Sequence, residues 1–146
     1  MLTVPIEVRF RDLDAIGHVN NAVYLTYLEQ ARLAYWAALT GQADLRSIDI
    51  ILARVAIDYR SPVSLGESLD VTVRCASLRR SSCTLELRVT ERASGRLVAE
   101  AQNVVVYYDY AAGRSKAIPE TLRQRIRELD PGVEETPSAA ATGGVS

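Results

Sequence analysis

Apolar and polar residues alternate at the beginning of the chain. Within residues 4–11, apolar side chains occupy every second position up to Phe10, and charged residues or proline stand between them. A period of two predicts a half-buried strand, with Phe10 on its buried face. Turn-forming residues are concentrated after this strand, and they predict a loop that extends to about residue 20.

The apolar spacing changes to three and four residues from about residue 21 to residue 39. This segment predicts a helix of about five turns. Few of its positions are charged, so we expect most of the helix circumference to be buried. Asn20 or Asn21 suits the N-cap of this helix, and Gly41 suits the position just past its last turn.

Four extended segments follow, and no helical pattern returns before Pro119. At ~3.3 Å per residue these strands reach roughly 30–40 Å, which is long for a chain of this size. Pro119 begins a short helix over residues 119–129, and the composition of residues 130–146 predicts a flexible tail. The four strands are predicted over residues 48–60, 68–79, 82–92 and 97–109.

The order of these elements predicts an α+β fold, with one domain over residues 1–129. In this fold a long antiparallel sheet curls around the first helix. A single sheet of this kind leaves an edge strand that two copies of the chain can pair. We therefore expect a homodimer or a homotetramer.

Composition and charge argue against several classes of partner and site. The 146 residues include 17 Lys or Arg and 18 Asp or Glu, for a formal charge of −1, so no general basic field attracts nucleic acid or an anionic membrane. Cys75, Cys83 and the single histidine, His18, are too few for a structural zinc site. The N-terminus has no signal-peptide pattern and no apolar run approaches the ~20 residues that span a bilayer, so we expect a cytoplasmic location.

The candidate chemistry lies in the loop before the long helix. Asp14 places a carboxylate directly before a helix N-terminus, where unpaired backbone N–H groups carry the positive end of the helix dipole. A carbonyl oxygen bound to these amides would be polarised, and Asp14 could attack the carbonyl carbon or activate a water for attack. A carboxylate with amide dipoles, and without a Ser or Cys nucleophile, favours a good leaving group such as a thiolate.

Two stretches of the sequence carry a family resemblance. The run FRDLDAIGHVNNAVYLTYLEQAR, residues 10–32, resembles the 4-hydroxybenzoyl-CoA thioesterase family of hot-dog proteins, in the branch with the pattern D-x-x-G-H-V-N-N-x-x-Y. The later DYRSPVSLGESLDV, residues 58–71, looks like the end of the second strand and the glycine turn of the same family. With the order of strands, the resemblance covers about residues 3–110.

The resemblance implies a hot-dog fold and an acyl-CoA thioesterase that hydrolyses its substrate to a free carboxylic acid and CoA. It implies that Asp14 is the catalytic base or nucleophile and that the amide near Asn21 contacts the thioester oxygen. It also implies no metal or cofactor, and an active site shared between two subunits. The carrier is left open between CoA and acyl carrier protein, and the acyl group is left open as well.

Further residues are predicted to contact the substrate or to support the loop. His18 is expected to support the loop or the substrate rather than to act as the base. Tyr24, one turn after the helix start, has the best chance among the aromatic residues of meeting the substrate. Local arginines are the candidates for CoA phosphates. The predicted substrate-binding residues are Gly17, His18, Val19, Asn20, Tyr24, Arg60, Arg79 and Arg80.

Other interpretations of the same residues remain open. Asp14 could be a turn-stabilising residue, which is the usual task of Asp in a turn. Asp12 is the nearest rival carboxylate, and we expect it to order the loop. A hot-dog hydratase would resemble the pattern D-x-N-P-x-H, but no Asn-Pro stands between Asp14 and His18. A non-catalytic acyl-thioester binding protein is the third alternative.

Overall fold

The computed structural model describes residues 1–42, 44 and 47–136. Its elements follow the predicted order of strand, long helix, four long strands and short helix, with a short strand on either side of the second helix. The α+β prediction is confirmed. The elements are β1 Leu2–Glu7, α1 Val23–Thr40, β2 Ile50–Tyr59, β3 Ser68–Leu78, β4 Ser82–Glu91, β5 Leu97–Asp109, β6 Arg114–Ser115, α2 Glu120–Leu129 and β7 Glu134–Glu135.

The five longer strands form one antiparallel sheet in the order β1-β3-β4-β5-β2. The alternation along β3 and β4 turns one face of each strand into the core, where Val71, Val73, Leu85 and Leu87 are almost completely buried. The helix α1 packs on this face, as the aromatic and aliphatic residues at its three- and four-residue spacing predicted. Gly41 ends α1 in the left-handed conformation with φ 71°, which a glycine adopts without steric cost.

The end of the first strand differs from the prediction. β1 stops at Glu7, and a single 3-10 turn, Phe10–Asp12, takes the place of its last residues. The backbone N–H of Arg9 donates to the Asp12 carboxylate at 2.9 Å, which turns the chain away from the sheet. Phe10 is consequently 81% exposed, so the prediction that it lies in the core is wrong.

The carboxylate of Asp12 ties this turn to α1. The hydroxyl of Tyr27, on the buried face of α1 near its start, donates to Asp12 Oδ2 at 2.8 Å. The Arg9 guanidinium donates to Oδ1 at 3.2 Å. Asp12 is only 2% exposed. Burial by itself would raise the pKa of Asp12, but the hydrogen bonds from Arg9 and Tyr27 outweigh it and lower that pKa. The expectation that Asp12 orders the loop is consistent with these contacts.

The segment after α2 is packed against the sheet as far as the structure describes it. Asp130 is buried, and its Oδ2 accepts hydrogen bonds from the Tyr35 hydroxyl at 2.6 Å and from the Cys75 backbone N–H at 2.9 Å. β7 then pairs in parallel with the end of β3. The prediction of a flexible tail is therefore wrong for residues 130–136, because a buried carboxylate anchors them. Residues 137–146 of the predicted tail lie outside the described residues.

Asp12→Asn should destabilise the fold in a pH-dependent way. The folded-state pKa of Asp12 lies below its unfolded value of ~3.9. The stability that the Asp12 carboxylate contributes is therefore fully present above the unfolded pKa, and it is lost as the pH falls through the folded-state pKa. At neutral pH we expect a loss of about 1.5–3 kcal/mol in the free energy of unfolding, as for hydrogen bonds to a charged group. Urea unfolding of both proteins between pH 7 and pH 3 measures this difference, which should narrow below about pH 4.

Asp58→Asn is the matched control, because Asp58 is an exposed carboxylate of β2 with one long contact to Arg60 at 3.8 Å. Its effect on unfolding should be small at every pH. A difference between wild type and Asp12→Asn that is constant down to pH 3 would contradict the assignment.

Candidate active site

The loop after the 3-10 turn is closed by its own backbone. Leu13 and Val19 face each other across an antiparallel bridge, and the Asp14 N–H donates to the His18 carbonyl at 2.7 Å. Gly17 lies in the left-handed region with φ 85°, and its N–H donates to the Asp14 carbonyl at 3.1 Å. The turn requires this conformation at residue 17, and a glycine adopts it without steric cost.

The side chain of Asp14 uses only one of its oxygens in this loop. Oδ1 accepts hydrogen bonds from the backbone N–H of Ile16 at 2.8 Å and of His18 at 3.2 Å. Oδ2 has no hydrogen-bond partner among the residues that the structure describes. The turn-stabilising interpretation of Asp14 is therefore correct, but it leaves one oxygen of a half-buried carboxylate available to a ligand.

The start of α1 has a different geometry from the predicted N-cap. Ala22 occupies the cap position and makes no side-chain cap, while the Asn20 side chain accepts the Ala22 N–H at 2.9 Å. The Asn20 carbonyl accepts the Val23 N–H at 3.0 Å and so points along the helix. In a trans peptide the next N–H, that of Asn21, points the opposite way, out of the helix start. Within the described part of the chain this N–H has no acceptor.

Two tyrosines hold the helix start against the sheet. The hydroxyl of Tyr59, the last residue of β2, donates to the Asn21 carbonyl at 2.7 Å. Its ring meets the Tyr24 ring edge to face, with 5.3 Å between centroids. Tyr24 is 3% exposed, and burial, followed by the neighbouring Tyr59, raises the pKa of Tyr24 to about 12. Tyr24 is therefore a neutral phenol at physiological pH, able to donate a hydrogen bond.

These groups border one open cleft of about 390 Å³. It brings together six of the predicted site residues from the loop, the helix and the end of β2. Gly17 and Asn20 belong to the same loop and shape it without lining the cleft. The sequence analysis missed three lining residues, although all three stand within or beside the second matched stretch. The lining residues are Asp14, His18, Val19, Asn21, Tyr24, Tyr59, Arg60, Ser61 and Pro62.

The predicted arginines lie in two separate places. Arg60 lines the cleft, where its half-exposed guanidinium pairs with Glu100 at 3.3 Å. Arg79 and Arg80 lie in the β3–β4 hairpin, at the other end of an 11-residue strand that spans about 36 Å. Their backbone carbonyls accept hydrogen bonds from Arg123 of α2. Within one chain, the structure does not bring the hairpin arginines to Asp14.

The described residues contain no group of three or more His, Cys, Asp or Glu side chains placed to hold a metal ion. No helix among them is long and apolar enough to cross a membrane.

Comparisons with known proteins identify the family. The family model of the thioesterase-like superfamily matches residues 8–126. The long-chain acyl-CoA thioesterase FadM of Escherichia coli is 30% identical over 129 residues, which cover 85% of this chain and 96% of FadM. The acyl-CoA thioester hydrolase YbgC of E. coli is 26% identical over 127 residues, which cover 85% of this chain and 94% of YbgC.

Solved structures agree with these relatives. A thioesterase from Thermus thermophilus, crystallised with coenzyme A and zinc, is 41% identical and superposes with a TM-score of 0.79 over 88% of this chain and 93% of that one. The family match includes the Asp14 loop, α1 and the four long strands. The resemblance drawn from residues 10–32 and 58–71 is thus confirmed, together with the hot-dog fold. The chain belongs to the thioesterase-like superfamily, and it is a hot-dog thioesterase.

Proposed function

We propose that this thioesterase hydrolyses an acyl-CoA to a free carboxylic acid and CoA, with Asp14 as the catalytic carboxylate and the start of α1, near Asn21, as the group that polarises the carbonyl. The observation that carries the proposal is the pairing of two unoccupied groups in one cleft: Asp14 Oδ2 and the Asn21 N–H. The names of FadM and YbgC, both acyl-CoA hydrolases, support the choice of substrate.

The geometry supports the following chemistry. The thioester oxygen binds the Asn21 N–H, where the positive end of the α1 dipole favours negative charge. As a base, Asp14 takes a proton from water, the hydroxide bonds to the carbonyl carbon, and the collapse of the tetrahedral oxyanion breaks the C–S bond. The CoA thiolate then takes up the proton that Asp14 holds, which restores the carboxylate. As a nucleophile, Asp14 would form an anhydride with release of the thiolate, and water would then hydrolyse the anhydride.

Asp14→Asn should abolish most of the hydrolysis and leave the fold intact. The amide oxygen can keep the two hydrogen bonds from Ile16 and His18 that form the loop, but the variant loses the charge that attacks or accepts a proton. Because a positioned base contributes ~10²–10⁴-fold, kcat should fall by about that factor. Steady-state assays with a panel of acyl-CoAs and a thiol-detecting reagent measure the loss, and thermal unfolding checks the fold.

His18→Ala is the comparison variant for the same loop. The His18 side chain borders the cleft, but the loop is bonded through the His18 backbone, which the substitution keeps. We expect a much smaller loss than for Asp14→Asn. Near wild-type turnover by Asp14→Asn, combined with inactive His18→Ala, would show that the histidine is the base.

The edges of the sheet support a homodimer. β1, at one edge, contains Pro5, which has no N–H to donate to a further strand. β2, at the other edge, has 10 residues without proline and pairs only with β5 in the described part of the chain. Ile51 and Leu52 of β2 are 39% and 40% exposed. An exposed, apolar edge strand is suited to pairing with β2 of a second copy around a two-fold axis.

The wild-type chain should therefore sediment as a dimer or a larger species at micromolar concentration. Leu52→Lys places a charge on the β2 edge and should shift sedimentation velocity toward the monomer. Glu7→Lys, a charge change on the β1 edge, is the control and should leave the sedimentation coefficient unchanged. A folded wild-type monomer at micromolar concentration would rule out the dimer.

Pairing at β2 would also give the hairpin arginines a place near the site. A two-fold axis at β2 reverses the strand direction in the second copy. The hairpin with Arg79 and Arg80 in one copy would then lie at the same end of the joined sheet as the Asp14 cleft of the other. We propose that these two arginines, with Arg60 from the cleft itself, bind the phosphates of CoA.

Replacing Arg60 with Ala, or Arg79 and Arg80 together with Ala, should raise KM and change kcat little, which is the sign of lost uniform binding. Arg74→Ala is the control, because Arg74 is a half-exposed arginine in the middle of β3 that pairs with Glu86. Steady-state assays of the three variants with one acyl-CoA measure KM and kcat for comparison with the wild type. Unchanged KM and kcat in the double variant would show that the hairpin arginines do not bind CoA.

A further inference from the structure

A buried polar pair lies beneath α1, away from the Asp14 cleft. Arg32, in the middle of α1, is 8% exposed, and its Nη1 donates to Oδ1 of Asn103 at 2.8 Å. Asn103 lies on the helix-facing side of β5 and is completely buried. Its neighbours in the sheet are Leu85 of β4 and Val55 of β2. The hydrolysis mechanism uses neither member of the pair.

The amide nitrogen of Asn103 is a hydrogen-bond donor without an acceptor. An arginine can only donate, so its contact fixes the Asn103 amide with Oδ1 toward Arg32 and Nδ2 away from it. Asn103 Nδ2 is the one fully buried side-chain nitrogen or oxygen of the described residues that lacks a hydrogen-bond partner. Buried donors are nearly always satisfied in folded proteins, so this one requires an acceptor that the single chain does not supply.

The charge of Arg32 is likewise unbalanced. None of the described carboxylates forms an ion pair with it, and Glu29, one turn earlier on α1, acts on it only at longer range. Burial lowers the pKa of Arg32, but a guanidinium remains charged at any physiological pH. A buried cation is ordinarily paired with an anion. The missing acceptor is therefore best matched by a carboxylate, which can accept from Asn103 Nδ2 and also balance the charge of the neighbouring Arg32.

The pair lies in line with the proposed catalytic cleft. Tyr24 and Arg32 are eight residues apart on the same side of α1, which corresponds to about 12 Å. On the sheet, Tyr59 pairs with Ala99 and Val55 pairs with Asn103, four residues further along, or about 13 Å. Both routes lead from the tyrosines of the cleft to the Arg32–Asn103 pair.

The residues between the cleft and the pair are small, or are incompletely covered by α1. Ala99 and Ala101 are the small residues that β5 presents there. On β2, Ile57 pairs with Ala101 and Val55 pairs with Asn103, and both β2 side chains are only half-buried. Beyond Asn103 the ring of Trp36 packs on Tyr107, with 6.2 Å between centroids. The side chains of Val55 and Ile57, on the helix-facing side of the edge strand, are left partly uncovered by α1, and a second copy paired at β2 would lie beside them.

We propose that Arg32 and Asn103 bind the distal carboxylate of the acyl group, so that the substrate is the mono-CoA thioester of a dicarboxylic acid. This inference rests on the proposed function and names its substrate class. Asp14 acts on the thioester end of the chain, and the Arg32–Asn103 pair holds the other end. A methyl-terminated chain of the same length would leave the buried cation and the amide without an acceptor.

The first test compares suberoyl-CoA with octanoyl-CoA, which have the same chain length and differ in the distal carboxylate. The wild-type enzyme should show a kcat/KM at least about tenfold higher for suberoyl-CoA, the factor expected from hydrogen bonds to a charged group. Equal values, or a preference for octanoyl-CoA, would overturn the proposal. Equal values are also the outcome expected if the second copy supplies the acceptor.

Asn103→Asp is the decisive variant. It keeps the shape of the side chain, gives Arg32 an internal counter-ion and repels a second carboxylate. The ratio of kcat/KM for suberoyl-CoA over octanoyl-CoA should fall at least about tenfold. Gln102→Leu removes the amide of the preceding residue, which is exposed on the opposite face of β5, and should leave the ratio unchanged. An unchanged ratio in Asn103→Asp, or an equal fall in Gln102→Leu, would overturn the proposal.

A binding measurement separates this proposal from the hydrolysis mechanism. Isothermal titration calorimetry with Asp14→Asn should show tighter binding of suberoyl-CoA than of octanoyl-CoA, and Asn103→Asp in the same background should remove the difference. If the binding preference is present but neither thioester is hydrolysed by the wild type, the proposed function fails and the carboxylate site stands. If thioesters are hydrolysed but neither binding nor kcat/KM favours suberoyl-CoA over octanoyl-CoA, the carboxylate site is wrong and the proposed hydrolysis stands.

Discussion

The hydrogen bond between Tyr27 and Asp12 is the contact on which the proposed site depends. Tyr27 lies on the buried face of α1, and Asp12 closes the turn that leads from the sheet to the loop. Since the Asp12 carboxylate is buried and bonded on both sides, the loop cannot move away from the helix without breaking charge-assisted hydrogen bonds. The Asp14 loop is therefore held at a fixed place beside the start of α1, which is what a carboxylate needs in order to act on a carbonyl bound there.

The two neighbouring carboxylates show how environment divides structural from chemical tasks. Asp12 is surrounded by donors and uses both oxygens to hold the fold. Asp14 Oδ1 accepts hydrogen bonds from its own loop, and Oδ2, at the border of the cleft, has no donor among the described residues. The same division recurs at the start of α1. The Asn20 carbonyl and side chain hold the backbone in place, and the Asn21 N–H is left without an acceptor.

Local patterns predicted the elements well, because burial on one face imposes a period on the sequence. The helix, the four long strands and the α+β class followed from that period, and the family resemblance led to Asp14. The failures have physical causes. Phe10 continued the alternation, but a turn fixed by Asp12 had already ended the strand. Residues 130–136 looked polar and unstructured, yet they are anchored by the buried carboxylate of Asp130.

The sequence by itself determined the features that lie close together along the chain. The Asp14 loop and the helix start are consecutive, so turn chemistry and helix geometry were enough to place a carboxylate beside unpaired amides. Only the tertiary structure decided which distant residues meet. Tyr59 bonds to Asn21 across 38 positions, and Arg32 bonds to Asn103 across 71. A hydrophobic period shows that a position is buried but not which partner it meets, because that partner is set by strand register and by where the helix crosses the sheet.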